Sequence, residues 1–122
     1  MKLEVGQFAR LKSGYICKII NINDFREPNM KYGVEANYLK DVVFIGNDDV
    51  VKAGYNIVDL IKSKDIILGR DGKIYQCWKI YKDYVFTYSK NKQGQTITLV
   101  DYQIDKVLTK EQFEKMAYKV GE

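Results

Sequence analysis

Between Lys73 and Lys92 the chain reads KIYQCWKIYKDYVFTYSKNK, a stretch in which rings and ammonium groups interleave. Tyr75, Trp78, Tyr81, Tyr84, Phe86 and Tyr88 stand among Lys73, Lys79, Lys82, Lys90 and Lys92. Two kinds of recognition use that mixture. Exposed rings on a β surface stack on nucleic-acid bases while lysines neutralise phosphates. Tyr and Trp are equally the anchors of protein–protein hot spots. The fold claims part of the set as well, because a β core takes rings inward and turns lysines outward. Hairpin tips on a rigid scaffold carry recognition, since the scaffold fixes them while their sequence varies. The expected partner-binding residues are therefore Lys82, Tyr84, Tyr88, Lys90 and Lys92.

The rest of the chain offers little reactive chemistry. It has no histidine, the commonest general base and metal ligand. Cys17 and Cys77 have no CxxC spacing for zinc and no histidine to activate a thiolate; both fall in apolar strand patterns and read as buried, reduced packing residues. Asp48-Asp49 follows Gly46-Asn47, and a polar turn explains GNDD better than a cation site. No phosphate-cradling glycine motif is present. The expectation is a non-catalytic protein with no cofactor and no metal.

The totals fit a small folded protein. The 122 residues are 46% hydrophobic, 13% aromatic and 30% charged, with a single proline, which argues against a disordered chain. Ten tyrosines favour strands with half-buried faces. A net charge of +4 is too small by itself to imply a nucleic-acid partner. The excess is local: between Leu60 and Leu99 eight Lys or Arg face three Asp, while the first half is near neutral. The start, MKLEVGQFARLK, has no apolar signal region, and no apolar run nears the roughly 20 residues that span a bilayer. The expected location is the cytoplasm.

The elements that would position these residues are written twice. At an offset of 58, Gly14 meets Gly72, Ile16 meets Ile74 and Ile22 meets Ile80; further on, Val42 meets Val100, Val50 meets Leu108 and Val58 meets Met116. One register thus aligns turn glycines with apolar strand positions. Each half opens on a short apolar run (7–11 and 65–68), turns at Ser13-Gly14 or Asp71-Gly72, and continues into a longer strand with apolar residues on both faces, as if covered on two sides. Residues 23–37 of the first half read as a loop. The second half has a clear hairpin: YVFTYS, the turn KNKQGQ, and TITLVDY. Final strands are expected at 56–61 and 116–120. Before the last of these, Thr109 and Gln112 have capping-box spacing, which predicts a short helix over 110–115. The fold expected is mainly β: two tandem small SH3-like barrels, 1–61 and 62–122, packed as one rigid unit, with a short helical turn before the last strand. A single larger sandwich or barrel is the alternative.

NIVDLIKSKDIILG (56–69), VLTKEQFEKMAYKV (107–120) and the Val5-Gly6…Arg10…Gly14 segment resemble stretches in small proteins of phages and prophages of low-GC Gram-positive bacteria. Where members of that group often have Val-Gly-Asp before the second strand, this chain has Lys62-Ser63-Lys64-Asp65. The resemblance implies a phage context, in which small proteins without catalytic residues often inhibit a host protein, including CRISPR-type defence effectors. The functional expectation is a binding protein that inhibits such an effector by protein–protein contact. The alternative is a nucleic-acid-binding module of the KOW type.

Overall fold

The tight turns marked at Ser13-Gly14 and Asp71-Gly72 both form, and each launches a long strand. Gly14 and Gly72 hold positive φ angles of 92° and 81°, and their amides donate back to the carbonyls of Leu11 and Gly69. In the computed structural model, which describes residues 2–36 and 40–117, the chain divides into two compact units, Met1–Leu60 and Ile61–Glu122.

The first unit contains β1 (Phe8–Leu11), β2 (Ile16–Ile22), β3 (Tyr32–Glu35), β4 (Val43–Ile45) and β5 (Val50–Gly54), an antiparallel sheet in the order β4-β3-β2-β1-β5. The second contains β6 (Ile66–Gly69), β7 (Ile74–Ile80), β8 (Tyr84–Lys90), β9 (Thr96–Val100) and β10 (Ile104–Leu108), in the order β10-β6-β7-β8-β9. Read from the other edge, the second order is the first. Short 3-10 turns at Asn47–Asp49 and Asp101–Gln103 precede the last strand of each sheet. The side chains of Asp49 and Gln103 accept from the amides of Gly46 and Val100, each at 3.0 Å. Asp49 of the acidic pair is thus part of the turn that GNDD predicts.

The likeness reaches individual hydrogen bonds. Gly6 N–H donates to Ile19 and Lys64 N–H to Cys77, both at 2.8 Å; Lys12 donates to Asp49 at 3.0 Å and Arg70 to Gln103 at 2.9 Å. The ladder between the second and third strands shifts register at Ile20 in one unit and at Trp78 in the other. The core positions also correspond. Ala9 and Ile67, Ile19 and Cys77, Tyr32 and Val85, Val34 and Thr87, Ile45 and Leu99, and Val50 and Ile104 occupy matching ladder sites, and all are buried.

Several expectations need correction. The offset of 58 holds through β2 and β7 but falls to 53 or 54 afterwards, so Val50 matches Ile104 and not Leu108. The reason lies between the strands: residues 23–49 of the first unit contain four more residues than 81–103 of the second. That longer segment is not all loop, since it holds a 3-10 turn at Pro28–Met30 and the strand Tyr32–Glu35. The run NIVDLI folds as a 3-10 turn, Ile57–Leu60, because Asp59 bends back to accept from the amide of Asn56 at 3.2 Å. The helix α1 (Lys110–Met116) is capped by Thr109, whose hydroxyl accepts from Gln112 N–H at 3.3 Å, as the spacing predicts. It follows β10. Met116 closes the helix, and most of the strand expected at 116–120 lies outside the described residues. β7 is not covered on two sides either, since Ile74 is 71% exposed and Trp78 47%.

Lys64 has φ of 75°, in the left-handed region where its counterpart Gly6 sits at 94°. An L side chain there costs on the order of 1–2 kcal/mol. Lys64→Gly is therefore expected to raise stability by about 1 kcal/mol in urea unfolding, the net after the added freedom of the unfolded chain. A loss of stability would contradict this.

The turn before β7 is tied by a proton-dependent clasp. Tyr75 Oη donates to Asp71 Oδ2 at 2.6 Å, and Lys73 N–H donates to Asp71 Oδ1 at 3.0 Å. Tyr75 and the Lys73 amide hold the Asp71 carboxyl below its usual range, and Asp71 in turn holds the Tyr75 hydroxyl above its own. A depressed acid contributes stability that is present above its unfolded value near 4 and lost as pH falls below it. A raised phenol contributes below its unfolded value near 10 and loses that contribution as pH climbs through the folded one. The contribution of the clasp to melting temperature should therefore be constant between these limits and shrink beyond them. Asp71→Asn is expected to lessen the acid-side fall; an unchanged acid limb would contradict the clasp.

Candidate partner-binding face

β7 and β8 present an aromatic strip on the outer side of the second sheet. Along β8 the side chains alternate strictly. Val85 and Thr87 are buried, while Tyr84, Phe86 and Tyr88 point the other way, with Tyr84 37% and Tyr88 54% exposed. From β7, Trp78 joins them. Its ring lies 6.4 Å from Phe86 and 6.2 Å from Tyr88. Tyr81, just past β7, stacks on Tyr84 at 5.0 Å and 17°, and packs 4.9 Å from Phe86. Tyr88, Trp78, Phe86, Tyr84 and Tyr81 thus form one continuous band of rings, each in contact with the next.

A β-bulge completes the strip. Cys77 pairs with Thr87 but Lys79 pairs with Phe86, so one extra residue is accommodated at Trp78. The Ser63 hydroxyl donates to the Trp78 carbonyl at 3.0 Å, giving the bulge an acceptor bond. Simple alternation places Lys79 with Tyr75 and Cys77, facing inward. The bulge places it with Phe86 instead, exposed, its ammonium 5.7 Å from the Tyr81 ring centroid.

The five residues expected from sequence are exposed, but they do not gather in one place. Tyr84 and Tyr88 belong to the ring strip. Lys82 lies in the two-residue turn between β7 and β8, closed by Tyr81 N–H to Tyr84 O at 2.9 Å. Lys90 and Lys92 lie at the far end of β8, about 30 Å away along the extended chain. There the tip is ordered by Asn91, whose side-chain oxygen accepts from the amides of Gln93 at 3.0 Å and Gln95 at 2.9 Å, with Gly94 at positive φ. The lysines bracket the strip from its two ends. Four contributing residues were outside the expected set: Trp78, Lys79, Tyr81 and Phe86. Phe86 is legible from the period of two between Tyr84 and Tyr88. Lys79 is not, because the bulge that turns it outward leaves no local sequence signature.

The first unit shows what the fold requires at these positions. The counterparts of Trp78, Lys79, Phe86 and Tyr88 are Ile20, Asn21, Gly33 and Glu35. Core sites keep apolar or small buried residues in both units, whereas the continuous band of Tyr and Trp rings is found in the second alone; the same face of the first sheet carries Phe8 beside Lys18 and, opposite Gly33, Phe44 beneath Arg26. The same fold forms with no ring at Ile20 or Glu35, and with Phe44 covering Gly33.

The cysteines take no part in the face. Both are buried thiols within their sheets. Burial pushes the Cys17 thiol up to about 11, and its Sγ donates to the Ala9 carbonyl at 3.6 Å, so it stays protonated at neutral pH. Among the described residues no cluster of three or more Cys, Asp or Glu is placed to hold a metal ion, and no helix is long and apolar enough to cross a membrane. Comparison of the chain with protein-family models, curated proteins and solved structures finds no match.

Proposed function

We propose that the chain is a non-catalytic binding protein that docks a partner protein on the outer face of β7 and β8. We further propose that each unit is a small SH3-like barrel, the two arranged in tandem. The observation that carries the functional reading is the contrast between units: buried sites match, while Trp78 and Tyr88 stand exposed on either side of the half-buried Phe86, where the other copy has Ile20, Glu35 and Gly33. The first sheet folds without rings at the sites of Trp78 and Tyr88, and leaving these two half in water costs hydrophobic free energy that a partner would recover. The strip also has the composition of a hot spot, rich in Trp and Tyr and bordered by a polar rim. In the phage context implied by the resemblance, the partner is a host protein in the bacterial cytoplasm, with a CRISPR-type defence effector as the leading class.

A nucleic-acid partner is the second reading, favoured by the exposed Lys79, Lys82, Lys90 and Lys92 around the rings. Capture from a Gram-positive bacterial lysate separates the two. The full chain is immobilised beside a Trp78→Ile/Tyr88→Glu variant, which carries the residues of the other unit. A protein retained by the native chain, resistant to nuclease and absent from the variant supports the proposal. Retention that nuclease abolishes supports nucleic acid, and equal retention by both chains removes the face from consideration.

A further inference from the structure

We propose that Lys79 selects the partner by receiving one of its carboxylates at the middle of the ring strip. The inference rests on the docking face proposed above and names the chemistry that face must meet. Register puts Lys79 beside Phe86, and its ammonium lies 5.7 Å from the Tyr81 ring, so a partner that covers the rings covers this charge as well. Among the described residues Lys79 forms no ion pair, and its counterpart in the first unit is the uncharged Asn21. The Lys79 ammonium has the Tyr81 ring face as its neighbour within the fold and, among the described residues, no carboxylate. An ammonium taken out of water without a counter-charge is strongly unfavourable, so the partner must supply an anion at that point.

The same charge excludes a second copy as the occupant. A two-fold contact through this face would set Lys79, Lys82, Lys90 and Lys92 of one copy against the same set on the other, with Asp83 and Asp101 as the nearby acids. Ring packing favours a protein carboxylate over a nucleic-acid phosphate. Tyr81 and Tyr84 stack on each other at 17°, so their facing surfaces are closed to bases. Between the lysines at the two ends of β8, Lys79 is the cation amid the rings, whereas a strand lying along the strip would bring repeated phosphates. The occupant that fits is a protein segment with an Asp or Glu flanked by apolar residues.

The test uses the full-length chain and a displayed library of random twelve-residue peptides, with enrichment measured against the Trp78→Ile/Tyr88→Glu variant. Trp78 is the sole tryptophan, so its fluorescence reports binding at the face. Enriched peptides are expected to share an acidic residue beside apolar ones. Lys79→Met and Lys79→Asn should each weaken such a peptide at least about 30-fold. Changing the peptide's acid to its amide should cost the native chain similarly and cost the Lys79→Met chain little, which identifies the pair by coupling. Peptides that bind the face without an acid, or losses that simply add, overturn the role of Lys79 and leave the docking face standing. Tighter binding of a twenty-nucleotide oligothymidylate, read by the same fluorescence, replaces the protein partner with nucleic acid. Absence of any enrichment over the ring-swapped variant overturns both proposals.

Discussion

Asp65→Ala is expected to lower the stability of the second unit by about 3–5 kcal/mol. Asp65 is fully buried at the entrance to β6. One carboxylate oxygen accepts from Lys62 N–H at 2.8 Å and the other from Lys110 N–H at 2.8 Å, while its backbone carbonyl accepts from Cys77 at 2.8 Å. The side chain thus fastens the first turn of α1 to the start of a strand 45 residues earlier. Hydrogen bonds to a charged acceptor contribute about 1.5–3 kcal/mol each, and alanine removes both. The first unit provides the comparison. There Gln7 Oε1 accepts from Glu4 N–H at 2.9 Å, closing the same three-residue loop, with a 3-10 turn where the second unit has α1. Asp65→Asn keeps one acceptor and sets an amide N–H against the other donor, so about half the alanine loss or more is expected. Urea unfolding checks both values, and a change under 1 kcal/mol for alanine would mean that the carboxylate does not hold the helix.

The second large effect concerns binding and should leave the fold nearly untouched. Trp78→Ile/Tyr88→Glu replaces two rings with the residues that the other unit carries at Ile20 and Glu35. Partner affinity should fall at least 100-fold, since a hot-spot ring is worth about 2 kcal/mol or more and each 1.4 kcal/mol is tenfold. The stability cost should be about 1–2 kcal/mol, because the rings lose only the edge and stacking contacts among themselves. A core substitution such as Val85→Ala shows the opposite pattern, with stability lost and binding by the folded fraction retained. Should the ring-swapped chain unfold, these rings would have to be counted as structural and the face as part of the core.

Signals that act over a few residues were legible in the sequence. The Thr109–Gln112 cap, the Asn91–Gln95 tip and the glycine turns each depend on neighbours within four positions, so residue type alone announces them. The repeat was legible as far as β2 and β7. Beyond that, a four-residue difference in the connecting segment moved the register, and a fixed offset could not follow it. NIVDLI misled because its alternation fits a strand, whereas the bond between Asn56 and Asp59 decides for a 3-10 turn. The candidate face was half visible. Tyr84 and Tyr88 follow from a period of two, but Lys79 owes its direction to a bulge set by pairing with β8, which is tertiary information. Likewise the three outlying lysines are close neighbours on paper and occupy opposite ends of a strand in the folded chain.

The central claim is that the outer face of β7 and β8 is where the partner sits. Backbone amide shift mapping of the nitrogen-15-labelled full chain, titrated with the captured partner, tests it most directly. The largest changes are predicted at Ile74–Ile80 and Tyr84–Lys90, including the side-chain indole N–H of Trp78, with the core amides of the first sheet unmoved. Changes confined to β1–β5 and their turns, with Trp78 unperturbed, would contradict it.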